Sequence, residues 1–235
     1  MFEFLLIDMD DTVLDFKKAE HTAIRKTLAE AGLDPTDAVC RRYSQINDGY
    51  WKRLERKEIT RRQLQIGRFT DLFAEFNITA DGEKCADRYM ENLAQGHDFM
   101  PGAEEALQSL CKKYKLYLAS NGNTETQRSR IALAGIAKYF EDIFISGEIG
   151  VNKPDRLFFE GCFARIEKFD PAKTMIVGDS LSSDILGGKN AGIATCWVAP
   201  ADKIAPPELQ PDYRIESITQ LETLLETIQK QKPPL

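Results

Sequence analysis

Short apolar runs that break off at polar or glycine positions recur at 4–7, 116–119, 143–145, 175–177 and 195–198. Runs of this kind, without alternating polar positions, predict strands buried on both faces. Between the later runs, apolar residues fall at helical spacing over 103–113, 124–134, 155–166, 183–191 and 217–229. Strands alternating with helices predict an α/β fold: a Rossmann-like parallel sheet with helices on both faces. One interval breaks the alternation. From 15 to 98 no strand pattern occurs, and four helical patterns follow one another at 18–31, 36–57, 61–76 and 83–95. Gly32 reads as a helix stop and Thr60 as an N-cap. The expected organisation is a core made of 1–14 and 99–235, with an inserted all-α cap over 15–98 and Met100-Pro101-Gly102 marking the return. The tail Lys232-Pro233-Pro234-Leu235 reads as a frayed end.

Composition narrows the class. With 235 residues, 43% hydrophobic and 29% charged, the chain is long enough for a real core and has none of the signatures of disorder or collagen. Its net charge of −6 argues against a nucleic-acid polymer as partner but leaves small anionic metabolites open. The five cysteines are scattered with no C-x-x-C pair, so they suggest buried thiols in a reducing compartment rather than a zinc site or disulfides. No run has the length or charge order of a signal peptide or membrane span, and a cytoplasmic location is expected. Only two histidines are present, so the chemistry falls to carboxylates, lysine and hydroxyls.

The candidate chemistry gathers at strand ends. The first strand runs into Asp8-Met9-Asp10-Asp11-Thr12, and a later one into Gly178-Asp179-Ser180-Leu181-Ser182-Ser183-Asp184. In open α/β sheets ligands bind at the carboxyl edge of the strands, and two acidic strand ends there suit a magnesium ion beside a phosphate. A carboxylate that attacks a phosphate ester needs compensating charge and oriented donors. Ser120-Asn121-Gly122 ends another strand, and Lys153-Pro154 precedes a helix that Pro154 is placed to start.

Asp-x-Asp-x-Thr, a strand-ending Ser, a Lys-Pro pair and Gly-Asp-x-x-x-x-Asp together resemble, in that order, the four motifs of the haloacid dehalogenase superfamily. The inserted helices resemble that superfamily's first type of cap. Carried onto this sequence, the resemblance implies Asp8 as a nucleophile that forms an aspartyl-phosphate, and Asp10 as the acid and then the base. It implies Mg2+ held by the Asp8 carboxylate, the Asp10 backbone carbonyl and Asp179. Phosphate oxygens would be bound by Ser120, the Asn121 N–H and Lys153. Asp184 would accept from metal-bound water or from Lys153, and Thr12 would brace the loop. Asp11 stands where many relatives have Gly and is given no catalytic role.

An acid at Asp10 favours the phosphatase branch over the 2-haloacid dehalogenases, which usually lack it. A finer resemblance is to the bacterial pyrimidine 5′-nucleotidases, carried by Gln63-Leu64-Gln65-Ile66-Gly67-Arg68-Phe69 in the cap and by 150–155 and 178–198. It implies a pyrimidine nucleoside monophosphate (UMP, dUMP or dTMP) as the small-molecule partner. A sugar or small-acid phosphatase, of the N-acylneuraminate-9-phosphate or phosphoglycolate type, is the alternative. A phosphomutase and a catalytically silent binding module rank below it. Arg41, Arg42, Lys52, Arg53, Arg56, Lys57, Arg61 and Arg62 outnumber Asp48, Glu55 and Glu58 in their window. They read first as a solvated helix face and second as a lure for an anionic substrate. Trp51 and Phe69 are candidates to stack on a base, although aromatics at helical spacing more often pack.

Overall fold

The computed structural model describes residues 1–231, so the tail at 232–235 lies outside it. The chain divides into two compact units, Met1–Asp15 with Phe99 onward, and Phe16–Asp98.

The first unit is the expected α/β architecture. Strands β1 (Phe4–Ile7), β2 (Lys115–Ser120), β3 (Asp142–Ile145), β4 (Thr174–Gly178), β5 (Ala194–Val198) and β6 (Tyr213–Ile215) form one sheet in the order β3-β2-β1-β4-β5-β6. Every pairing is parallel. Central β1 is buried on both faces because its residues alternate between two cores. Leu5 and Ile7 join Leu116, Leu118, Met175 and Val177, while Phe4 and Leu6 join Ala119, Phe144, Phe158 and Ile176. The sixth strand was not expected from the pattern: it is only three residues long, and Arg214 at its centre is exposed. After β1 the chain builds outward to β2 and β3, then returns to place β4 on the other side of β1. That reversal makes the carboxyl edge of β1 and β4 a topological switch point, where the flanking loops diverge and leave a crevice.

In this unit the helices are α5 (Ala103–Leu110), α6 (Thr124–Ala134), α7 (Ser146–Ile149), α8 (Arg156–Phe163), α9 (Leu186–Ala191) and α10 (Leu221–Gln231). Two differ from expectation. The cap of α8 is Asp155, which accepts from the Leu157 N–H at 3.0 Å, rather than a Pro154 start. The stretch expected as one helix over 183–191 is a π-turn at Leu181–Ile185 followed by α9.

The second unit consists of α1 (Phe16–Glu30), α2 (Asp37–Glu55), α3 (Arg61–Glu75) and α4 (Gly82–Leu93). Each later helix starts at a side-chain cap. Thr36 accepts from Val39 N–H, Thr60 forms a reciprocal capping box with Gln63, and Asp81 accepts from Glu83 and Lys84 N–H. The apolar face of the bundle closes around Tyr43, Phe69 and Tyr89, whose ring centroids lie 5.2–5.8 Å apart. A polar chain threads this core. Buried Glu20 accepts from Ser44 Oγ and, at 2.7 Å, from Asn47 Nδ2, and Asn47 Oδ1 accepts from Arg68 at 2.8 Å. Among the described residues no helix is long and apolar enough to cross a membrane.

Candidate active site

Register brings the acidic strand ends together. Ile7 pairs with Leu118 on one side and Val177 on the other, and Asp8 N–H donates to the Val177 carbonyl at 2.9 Å. Asp8 therefore emerges between the ends of β2 and β4, level with Ala119 and Gly178. The loop that follows is held by backbone bonds, Val13 N–H and Leu14 N–H both donating to Met9 O. Thr12, expected to brace it, is buried, and its hydroxyl finds no hydrogen-bond partner among the described residues. Asp11 has φ 56°, a left-handed conformation that Asp tolerates and Gly adopts freely.

Lys153 reaches the centre from the loop before α8, and its side chain is 1% exposed. Its Nζ lies 2.7 Å from Asp8 Oδ1, 2.7 Å from Asp184 Oδ1 and 2.5 Å from the Ala119 carbonyl. An ammonium has three hydrogens, and all three are directed at these oxygens. The Asn121 side chain clasps the Lys153 backbone, donating to its carbonyl and accepting from its N–H, both at 2.9 Å. Burial pushes the Asp8 carboxyl up to about 8 even against the Lys153 ammonium, with Asp184 and Asp10 adding to the rise. Burial alone would lower the Lys153 ammonium, but Asp184 and Asp8 outweigh it and hold the group above its ordinary value.

On the other side, Asp8, Asp179 and Asp184 place carboxylate oxygens within 4.8 Å of one another. Asp184 arrives through the π-turn: both its N–H and that of Ile185 donate to the Ser180 carbonyl, which turns its Oδ2 back onto the Ser180 N–H at 3.1 Å. Asp184 thus approaches the acidic centre itself as well as accepting from Lys153. Asp179 is set by its backbone, its carbonyl accepting from Trp197 Nε1 at 2.8 Å across to β5. The donor set fits a magnesium ion. It is all carboxylate oxygen, and three buried or half-buried acids face the single charge of Lys153, so a divalent cation balances them. A cation bound there would also supply positive charge favouring the ionised form of Asp8, which burial raises to about 8.

Sequence reading missed Gln127 and Arg130, both on α6 and both buried. Gln127 Nε2 donates to Asp10 Oδ2 and to Ser120 Oγ, each at 2.8 Å, and Arg130 Nη1 donates to Asp10 Oδ1 at 2.5 Å. The available signal was their placement on the same helix face as Ile131, where a core helix ordinarily carries apolar residues.

The helical unit bears on the two candidate substrate features of the cap. Phe69 is fully buried in ring contacts with Tyr43, Phe73 and Tyr89, so it packs rather than stacks on a base, while half-buried Trp51 lies under the Arg61 guanidinium at 5.8 Å. Arg42 pairs with Glu75, Arg62 with Glu83 and Asp87, and Arg56 with Glu58. Acids of α3, of α4 and of the turn between α2 and α3 thus offset part of the basic surplus over 41–62, as a solvated face requires. Of the five thiols, Cys111 is exposed and the others are buried.

A parallel sheet with three carboxylates gathered at its switch point and a buried lysine bonded to two of them is the frame of an α/β enzyme site. The model for the haloacid dehalogenase-like hydrolases matches residues 3–192. The chain is 40% identical over 221 residues to pyrimidine 5′-nucleotidase PynA of Streptococcus pneumoniae, covering 94% of this chain and 93% of that one. It is 29% identical to pyrimidine 5′-nucleotidase YjjG of Escherichia coli over 95% of this chain and 98% of that protein. The crystal structure of the Bacillus subtilis HAD-hydrolase YfnB bound to magnesium superposes with TM-score 0.92 at 36% identity, covering 95% of this chain and 98% of that one. The chain belongs to the haloacid dehalogenase-like hydrolases.

Proposed function

We propose that this hydrolase is a magnesium-dependent phosphomonoesterase that works through an aspartyl-phosphate on Asp8 and acts on pyrimidine nucleoside monophosphates. The observation that carries the reaction is the buried Asp8, bonded to Lys153 and two positions before the doubly held Asp10. Magnesium would be held by the Asp8 carboxylate, the Asp10 carbonyl and Asp179, with Asp184 close by. It would supply positive charge to the attacking carboxylate and to the phosphate oxygens.

In the first half-reaction an Asp8 oxygen bonds to phosphorus, the phosphorus–oxygen bond to the nucleoside breaks, and the departing oxygen takes the Asp10 proton. In the second, water attacks phosphorus and gives a proton to Asp10. The Asp8–phosphorus bond breaks, and inorganic phosphate leaves. Lys153 fixes Asp8 and offsets its charge. The Ser120 hydroxyl and Asn121 N–H receive phosphate oxygens, the Asn121 side chain being engaged on Lys153.

Residues 1–14 with 99 onward would form the catalytic core and 15–98 a cap that selects the substrate. The nucleotidase-named relatives align over 94% and 95% of this chain, a length that takes in the helical unit and supports the nucleotide reading.

The test is phosphate release from nucleoside monophosphates, sugar phosphates and short acid phosphates, in magnesium and in chelator. Metal-dependent release peaking on UMP, dUMP or dTMP is expected, and Asp8→Asn should lower it at least about 1,000-fold with the fold intact. A peak on a sugar or acid phosphate would reassign the substrate. Release that survives Asp8→Asn would end the covalent reading.

A further inference from the structure

We infer that Gln127 and Arg130 are positioning residues for the reaction proposed above, a closed clamp that sets the aim of Asp10 and couples it to Ser120. The inference rests on that proposed function and adds two residues that the four motifs do not contain.

The clamp is a ring of complementary donors and acceptors. Arg130 Nη1 donates to Asp10 Oδ1 at 2.5 Å and to Gln127 Oε1 at 3.1 Å, while Gln127 Nε2 donates to Asp10 Oδ2 and Ser120 Oγ, each at 2.8 Å. Both Asp10 oxygens are thereby held, one by a guanidinium and one by an amide, which fixes the plane of the carboxylate as well as its place. Contact with Arg130 through Oε1 also fixes which way the Gln127 amide faces. The reverse orientation would set its NH2 against the guanidinium and leave Asp10 and Ser120 facing an oxygen.

Because Ser120 Oγ accepts from Gln127, its own hydrogen remains for another acceptor, such as a phosphate oxygen. One amide group thus ties the acid/base to a phosphate-facing hydroxyl.

Two further features show space made for the clamp. Arg130 is 0% exposed and Gln127 3%, long polar side chains placed where α6 could have carried leucines. A Cβ on Gly122 would lie 2.4 Å from Gln127 Cγ, so the glycine in Ser120-Asn121-Gly122 leaves room for Gln127 to cross the loop. Proton transfer depends steeply on alignment, and a carboxylate on a short loop would otherwise swing about its side-chain torsions.

The test compares kcat/KM for an alkyl ester, UMP, with that for an aryl ester, p-nitrophenyl phosphate, whose phenolate departs without needing a proton. Arg130→Met should lower kcat/KM on UMP by about 10- to 100-fold and on the aryl ester by less than about 3-fold, while Gln127→Leu, which also releases Ser120, should lower both but UMP by at least about 5-fold more. Arg130→Lys should recover part of the UMP loss. In an Asp10→Asn background, the Gln127→Leu loss on UMP should shrink to that seen on the aryl ester, because the group it aims is gone and only its hold on Ser120 remains.

Equal losses on both esters, or a Gln127→Leu effect that persists undiminished in Asp10→Asn, would make the pair structural and overturn the inference. No change on UMP would overturn it as well. The proposed function survives either result, since it stands on Asp8 and Asp10. A wild-type chain that hydrolyses neither ester would overturn the proposed function and this inference with it. Should Arg130→Met fail to fold, the volume-preserving Gln127→Leu carries the comparison alone.

Discussion

Lys153 spends its whole donor capacity inside the protein, on two carboxylates and a carbonyl. Its first task is therefore to make a buried Asp8 tolerable, since two unbalanced carboxylates would otherwise sit in a site that water barely reaches. Lys153→Met should lower the stability of metal-free protein at about pH 9, above the value to which burial raises Asp8, by about 3–5 kcal/mol, the cost of leaving buried acids without their cation. Urea denaturation in chelator measures this, and a change below about 1 kcal/mol would show that the site does not hold these groups as ions. Gly178 bears on the same site from the other side, because a Cβ there would lie 2.2 Å from Asp184 Oδ2. Gly178→Ala should push Asp184 out of place, cost about 1–3 kcal/mol and weaken magnesium binding in a calorimetric titration. Unchanged affinity would show that Asp184 does not matter to the cation. The candidate residues that a sequence reader can find, Asp8, Asp10, Ser120, Lys153, Asp179 and Asp184, all sit at strand ends or just before a helix, where polar types interrupt an apolar run. Gln127 and Arg130 escape because a polar residue on a helix reads as solvent-facing until the buried face is known.

At the scale of elements, the π-turn at Leu181–Ile185 is the plainest departure from pattern. The apolar spacing around Ile185 and Leu186 predicts a continuous helix, and no propensity marks where one extra residue is accommodated. What selects the turn is tertiary: Asp184 must face both Lys153 and the Ser180 N–H. Strand β6 was illegible for the opposite reason. Three residues with an exposed arginine carry too little pattern, and pairing with β5 decides the conformation. The four helices of the second unit were legible because long amphipathic stretches are separated by capping residues.

Inside that unit, burial raises the Glu20 carboxyl above its ordinary 4.5, against hydrogen bonds from Ser44 and Asn47 that favour the ionised form. Between 4.5 and the raised value the folded protein binds more protons than the unfolded chain, so its stability falls as pH rises through that window. Glu20→Gln cannot ionise and should lose this slope. Urea midpoints of variant and wild type should draw apart in the variant's favour as pH climbs from 4.5 toward neutrality. Parallel profiles would show that Glu20 is not held in its neutral form.

For the whole molecule, a cation that binds only the folded state must show in the melting curve. At a magnesium concentration about 100 times its dissociation constant the gain is about 2.7 kcal/mol. For a chain of this size that corresponds to roughly 5–10 °C in Tm relative to chelator. Asp179→Asn should remove most of the shift, and a shift that survives it would place the cation elsewhere. The overall architecture was readable because a break in strand–helix alternation announces an insertion and because parallel crossovers have few topologies. The position of β4 beside β1, which creates the switch point, could be expected from that rule but is fixed only by pairing.

The helical unit leaves and rejoins the sheet unit at a single doorway. Leu14 bridges antiparallel to Phe99, and Met100 N–H donates to the Val13 carbonyl at 2.9 Å. Everything from Phe16 to Asp98 is therefore a cassette whose length and sequence are invisible to the strand register downstream. A lineage that rewrites the cassette inherits the acidic edge untouched. On the division of labour proposed here, the choice of what to cleave and the means of cleaving it can then diverge at different rates within one gene.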